Sequence, residues 1–392
     1  MAQQAANVLM QGIEVPAAAV NPDLFFQHTR RLGYPMQTPA DITGLGSGDT
    51  CSLKKAGIIS GLEVRIFGSI TFGGTITGTT MTYAWPYNLI KALRVSANGQ
   101  ANLINASGLQ LKALSVMKPD SQDRGISRPV GSGTATQGTL SLASEDWGTS
   151  SSNTLGPGKA APAAATYSVD FTIHVPIAFD DKTLTGAVFA QTSSTNLVLD
   201  IDWATQSDIV TLGGSATFAH ALKWQVQGIV HSIPSVSGKM VIPDLSTFHQ
   251  VVGWDKRDLG AGENEITLPG VGPGRQLMRL YGQVYDNTIK NAPLAVNSTN
   301  FPTMAWRYGG NDTPEVYTGS QLRAHNERLY NSDIGSVWGF FCHDWANEWA
   351  YRDSVDAGSA PDLRLVVGLA ADPTAGVARC VAETVFGAPA GA

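Results

Sequence analysis

Three pairs of neighbouring carboxylates are the residues best suited to acid–base work: Glu145/Asp146, Asp180/Asp181 and Asp200/Asp202. A glycosidase needs two carboxyl groups facing each other across a cleft, roughly 5–9.5 Å apart. Asp200 and Asp202 stand two apart in LVLDIDW, residues 197–203, so on a strand they share the face opposite Leu199, Ile201 and Trp203. That makes a solvated strand face, not a cleft. Asp180 and Asp181 precede Leu184, Ala187 and Val188, which fall at i, i+3 and i+4; the spacing predicts a short helix with the acids as its cap. Cys342-His343-Asp344 offers three metal ligands in a row, but neighbours on a strand point to opposite faces and cannot easily share one ion. The seven histidines form neither H-x-H nor H-E-x-x-H, which argues against a metal-dependent cupin. No serine has glycine at both i−2 and i+2, as a nucleophile elbow requires. GVGPGR, residues 270–275, lacks the lysine and hydroxyl of a phosphate loop and reads as a turn. No catalytic, metal or cofactor site is expected.

Aromatic residues give the interaction candidates. Trp338, Trp345 and Trp349 fall close together with Phe340, Phe341 and Tyr351. Core packing is their first reading, an intersubunit contact the second and a sugar platform the third. LFFQHTRRLGYP, residues 24–35, places Phe25 and Phe26 beside Arg30 and Arg31. It reads as a terminal segment packed on its own domain, or as an arm that meets a membrane or a neighbouring subunit.

The elements that carry these residues are strands. Tyr167, Val169, Phe171, Ile173 and Val175 alternate with polar residues, and Leu197, Leu199, Ile201 and Trp203 repeat the pattern. A period of two buries one face of each strand. Leu62, Val64 and Ile66, Trp224–Ile229, QLMRLYGQVY (276–285), VWGFFCH (337–343) and LRLVVGL (363–369) continue it. Asn98-Gly99 signals a tight hairpin, and residues 131–166 read as a long surface loop. HSIPSVSGK, residues 231–239, is the expected interdomain linker, and DLSTFHQVV after it reads as a short helix capped by Asp244. Many short strands with frequent turns imply a sandwich or jelly roll.

The block VPIAFDDKTLTGAVFA from Val175, together with GKMVIPDLSTF from Gly238, resembles the major capsid proteins of tectiviruses, the membrane-containing icosahedral phages. The resemblance implies an all-β double jelly roll: two eight-stranded β-sandwiches in tandem, with short helices in loops. The chain's own organisation sets an N-terminal arm over residues 1–50, a first roll over 51–235, and a second roll with the C-terminal tail over 236–392. The resemblance further implies a homotrimer of pseudo-hexagonal outline that tiles an icosahedral shell, contacts with neighbouring trimers and vertex proteins, and an internal lipid membrane. Phe25, Phe26, Arg30 and Arg31 would then face membrane or neighbour. The arm does not match the family residue by residue.

Composition is compatible with that reading. The 392 residues hold 43% hydrophobic but only 15% charged residues, and 42 glycines. Low charge leaves much surface open to burial by neighbours. The 26 Lys and Arg stand against 32 Asp and Glu, a net charge of −6. No cationic cluster is present to neutralise phosphates, which excludes tight nucleic-acid binding. Three dispersed cysteines suggest no disulfide framework. The N-terminal residues lack a secretory pattern and no run reaches the length of a membrane span, so synthesis in the host cytoplasm and residence in the virion are expected. The competing reading is a carbohydrate-binding or carbohydrate-processing β-sandwich protein, built on the carboxylate pairs and tryptophans.

Overall fold

The alternation at Tyr167–Val175 is realised as a strand in which Tyr167, Val169, Phe171, Ile173 and Val175 are all buried. The computed structural model describes residues 19–97, 103–118, 145–158, 160, 161, 163–191, 196–268, 274–287, 292–308, 313, 315–330, 338–346, 354–356 and 363–387. The Asn98-Gly99 turn, residues 131–144, 159 and 162 of the expected loop, residues 269–273 of the glycine-rich turn and Trp349 lie outside them; the expected loop also holds the strand Asp146–Thr149.

The first half contains β1 (Arg31–Asp41), β2 (Gly48–Ser52), β3 (Ile58–Gly73), β4 (Ile90–Ala97), β5 (Ile104–Ala106), β6 (Asp146–Thr149), β7 (Thr166–Pro176), β8 (Leu197–Trp203) and β9 (Thr217–His231). One sheet runs β1-β9-β3-β7-β6; facing it, β2-β8-β4-β5 are hydrogen-bonded in that order. Between the two sheets lies a core that includes Val64, Ile66, Leu93, Phe171, Leu199 and Trp203. Each such side chain contributes about 1.5–3 kcal/mol on burial.

The second half contains β10 (Lys239–Ile242), β11 (Phe248–Leu259), β12 (Gly262–Thr267), β13 (Arg275–Asp286), β14 (Thr303–Arg307), β15 (Glu315–Tyr317), β16 (Phe340–Asp344), β17 (Arg364–Leu369) and β18 (Gly376–Phe386). The sheet β12-β17-β14-β15 packs over β11-β18-β13-β16 around Val284, Phe301, Trp306, Phe341 and Val367. The architecture is a double jelly roll. A short parallel pairing, Val251 with Ile104 and Val252 with Asn105, joins an inner sheet of each roll into one ten-stranded sheet.

Local expectation and structure differ where long-range pairing competes. Residues 180–187 form a turn and not a helix: Asp180 accepts from the amides of Lys182 (2.8 Å) and Thr183 (3.2 Å), and Leu184 (φ +57°) and Gly186 (φ +82°) leave helical space. Asp244 likewise caps only a turn, through the Ser246 amide. From Phe248 the chain is strand, because β11 pairs β18 along nearly its whole length and ladder bonds outweigh one cap. Residues 31–41 of the expected arm are β1, paired to β9. The expected linker holds the end of β9 and a small hairpin, Ser235–Val236 with β10, whose other edge takes Ala19–Val20.

Three well-defined helices are α1 (Pro22–His28), α2 (Gly108–Val116) and α3 (Gly319–Tyr330). α2 has no apolar stripe to read because all nine residues are buried. Its Ser107/Gln110 capping box is the local signal for it.

Gly68 sits inside β3 at φ +134°, and a Cβ there would lie 2.2 Å from the Ala221 carbonyl oxygen on β9. Gly68→Ala is therefore expected to destabilise by more than about 1 kcal/mol, read as a lowered thermal midpoint with unchanged far-ultraviolet circular dichroism at 20 °C.

Candidate functional site

A buried charge network locks the two rolls together. Cross-strand register sets Arg279 of β13 between Glu383 of β18 and Asp344 of β16. Its guanidinium reaches Asp344 at 2.9 Å and Glu383 at 3.3 Å, and all three side chains are fully buried. His249 of β11 approaches Glu383 at 3.1 Å, and its other ring nitrogen faces the Ile177 carbonyl at 3.2 Å. Lys118, just past α2, stands 3.8 Å from Glu383. The Arg279 guanidinium also lies over the Phe179 ring, 4.9 Å from its centroid. The Met117 carbonyl accepts from the Tyr281 hydroxyl at 3.4 Å, so first-roll groups (Met117, Lys118, Ile177, Phe179) meet second-roll groups across the seam.

Burial alone would push the Glu383 carboxyl up; the Lys118 ammonium, the His249 hydrogen bond and the Arg279 guanidinium overcome it and bring it down to about 2. Tyr281 and Tyr330 complete the network, donating to Glu383 (3.4 Å) and Asp344 (2.8 Å). Burial pushes both phenols well above their ordinary range, so they remain donors.

The carboxylates singled out as possible acid–base pairs are otherwise engaged. Glu145 is buried, accepting from Tyr87 and Trp147 and pairing with buried Lys112 at 3.1 Å. Asp200 accepts from Thr50 at 2.6 Å, and Asp202 pairs with Arg94. Of Cys342-His343-Asp344, the outer two face one way: Cys342 lies in the first core and Asp344 binds Arg279. His343 pairs with Glu315 on the other face.

The two described tryptophans of the aromatic trio are not brought together. Trp338 is buried in the first core, stacked on Trp147 with centroids 6.1 Å apart and edge-on to Tyr87 at 5.4 Å. Trp345 packs beside the second core against Trp306 (4.7 Å) and His343 (4.5 Å) and donates to the Tyr308 hydroxyl at 3.0 Å.

The N-terminal segment is anchored on one side and open on the other. Phe25 is fully buried among Ile58, Leu184, Ala187 and Val241. Phe26 meets it edge-on at 5.3 Å and is 38% exposed. Arg30 exchanges backbone and hydroxyl hydrogen bonds with Ser232, while Arg31 faces Asp181 at 3.7 Å, both half-exposed and so contributing little. Val20, Phe26, Leu32, Tyr34 and Met240 are five of the six exposed large apolar side chains among the described residues. All five sit on α1, β1, β10 or the Ala19–Val20 strand paired to β10. β1 is an edge strand carrying Pro35 and Pro39, which lack the N–H that strand addition requires.

Sequence reading missed the seam network. The available signal was a charge inside an otherwise apolar strand: Arg279 in QLMRLYGQVY and Glu383 in VARCVAETVF.

Residues 3–221, more than half of the chain, match the family described as P3 major capsid protein N-terminal. Fold and family together define the class, a double jelly-roll major capsid protein. The chain belongs to that family; its role is structural and its place is the virion capsid. Among solved structures it is similar to the STIV MCP, with 16% identity and a TM-score of 0.61, over 91% of this chain and 96% of that one. The atomic structure of Sulfolobus Turreted Icosahedral Virus matches at 16% identity and 0.61, over 92% and 90%. The PBCV-1 virus capsid matches at 11% identity and 0.55, over 91% and 94%. At these identities the likeness is one of fold. No curated protein matches the chain.

Because Glu383 lies lower in the folded protein than its unfolded value of about 4.3, its contribution to stability is whole above that pH. It is lost as pH falls through about 2. Glu383→Gln leaves Arg279 underpaired and is expected to cost ~3–5 kcal/mol at pH 7. The variant's denaturation midpoint should also vary less than wild type between those two pH values; an unchanged profile would remove Glu383 from the acid response.

Proposed function

We propose that the protein works by repeated self-association, without turnover, as a homotrimer whose two rolls per subunit give a pseudo-hexagonal block that tiles an icosahedral shell. Residues 51–235 and 236–392 would be the two rolls, with β1 carried by the first although it precedes residue 51. Neighbouring trimers and vertex proteins are its partners. The single observation behind this reading is the exposed apolar set Val20, Phe26, Leu32, Tyr34 and Met240 on the N-terminal face, which a folded subunit leaves uncovered.

Phe25, Phe26, Arg30 and Arg31 divide their roles accordingly. Phe25 anchors the segment in its own subunit, and Phe26 with the exposed arginine pair presents apolar surface beside positive charge to lipid or to an adjoining subunit. Lys54 extends that character, lying 5.8 Å from the Tyr34 ring centroid. Trp345 and Trp349 are the aromatic residues we assign to intersubunit contact; Trp338, from the second half of the chain, is taken up by the first core.

Light scattering is expected to give a particle of three times 41.4 kDa that survives dilution, and a monomer at all concentrations would end the trimer proposal. The triple variant Phe26→Ser, Leu32→Ser, Tyr34→Ser should melt like wild type, because these side chains are exposed, and still form trimers. It should fail either to assemble shells or to float with anionic phospholipid vesicles. Wild-type behaviour in both assays would show that this face is not a contact.

A further inference from the structure

The ten-stranded sheet has a notch where its two rolls meet. β5 spans only Ile104–Ala106, pairing β4 at 93–95 and β11 at 251–252. At Ser107 the chain leaves the sheet and caps α2. Residues 90–92 of β4 and 253–259 of β11 then flank a space with no strand between them among the described residues. Their outer edges are occupied by β8 and β18. Strands separated by one missing strand stand on the order of 10 Å apart. A cavity of about 480 Å³ occupies the space, with Asn88, Lys91, Ala92, Trp254 and Arg379 in its walls.

Three features say what it accepts. The inner edges of β4 and β11 present backbone groups that a visiting strand would pair. The wall charges are already balanced: Arg94 with Asp202, Arg379 with Asp255 at 3.4 Å, and Lys91 with Asp208 at 3.8 Å. An uncharged segment is their complement. Trp254 Nε1, a donor, and Asn88 Oδ1, an acceptor, are buried without a hydrogen-bond partner, and a peptide's C=O and N–H would supply both.

We infer that this notch receives an extended, uncharged segment of about four residues from a second copy of the chain, added as a strand between β4 and β11. The inference rests on the coat-subunit reading, since a shell sets copies against one another. With only 15% charged residues, the chain can supply such a segment.

The test compares backbone hydrogen exchange of the full-length protein as free subunits and as assembled particles. Amides of residues 254–258 that face the notch are expected to exchange at least about ten-fold more slowly in particles. Equal rates in the two states overturn the inference while leaving the coat reading intact, because particles have formed. Absence of wild-type particles ends both. Ala92→Trp, which fills the notch from a half-buried position, should melt like wild type yet need about ten-fold more protein to assemble. Assembly at the wild-type concentration overturns the slot. If that variant does not fold, Trp254→Phe keeps a ring, removes the donor and should raise the assembly threshold about five-fold; an unchanged threshold counts equally against the slot.

Discussion

Two residue pairs of parallel strand, Val251 with Ile104 and Val252 with Asn105, set the relation between the rolls. Each roll has its own core, but this pairing makes one sheet of two and fixes how one roll stands against the other. Parallel pairing contributes no more per residue than antiparallel, and two pairs are few. The contact holds because it does not act alone. Tyr281 and Val381 of the second roll enter the first core, and the Glu383 network crosses the same line.

The charges in that network would be costly if any were missing. Burying a carboxylate without partners is prohibitive, yet Glu383 collects Arg279, His249, Lys118 and Tyr281 around its two oxygens. The partners come from both rolls, so the network is satisfied only when the rolls are docked. An apolar seam of the same volume could be as stable; it would also tolerate sliding. Directional charge contacts fix the register that a repeating building block needs.

Buried and exposed aromatic side chains of the N-terminal segment are separated in space. Phe25 and Trp338 belong to cores, while Phe26, Leu32 and Tyr34 are left on the surface beside an edge strand interrupted by prolines. Such an edge resists unspecific strand addition. The notch between β4 and β11 is the opposite arrangement, with backbone edges recessed between two rolls where only a narrow segment can reach them.

By itself the sequence determined the strands whose apolar residues alternate: Tyr167–Val175, Leu197–Trp203 and the apolar run of β13 were legible because a period of two is a local property of a half-buried sheet. It also carried the two short blocks by which the family resemblance was seen. Tertiary structure decided what local pattern cannot. Asp244 caps a turn because β11 is claimed by β18 from Phe248 onward. α2 was invisible because it is buried on every side. Arg279, Glu383, His249 and Lys118 are far apart in the chain, and only the cross-strand register brings them into one site. Of the arm residues, burial of Phe25 against exposure of Phe26 depended on which side α1 turned toward Ile58 and Val241, a choice made by packing and not by residue type.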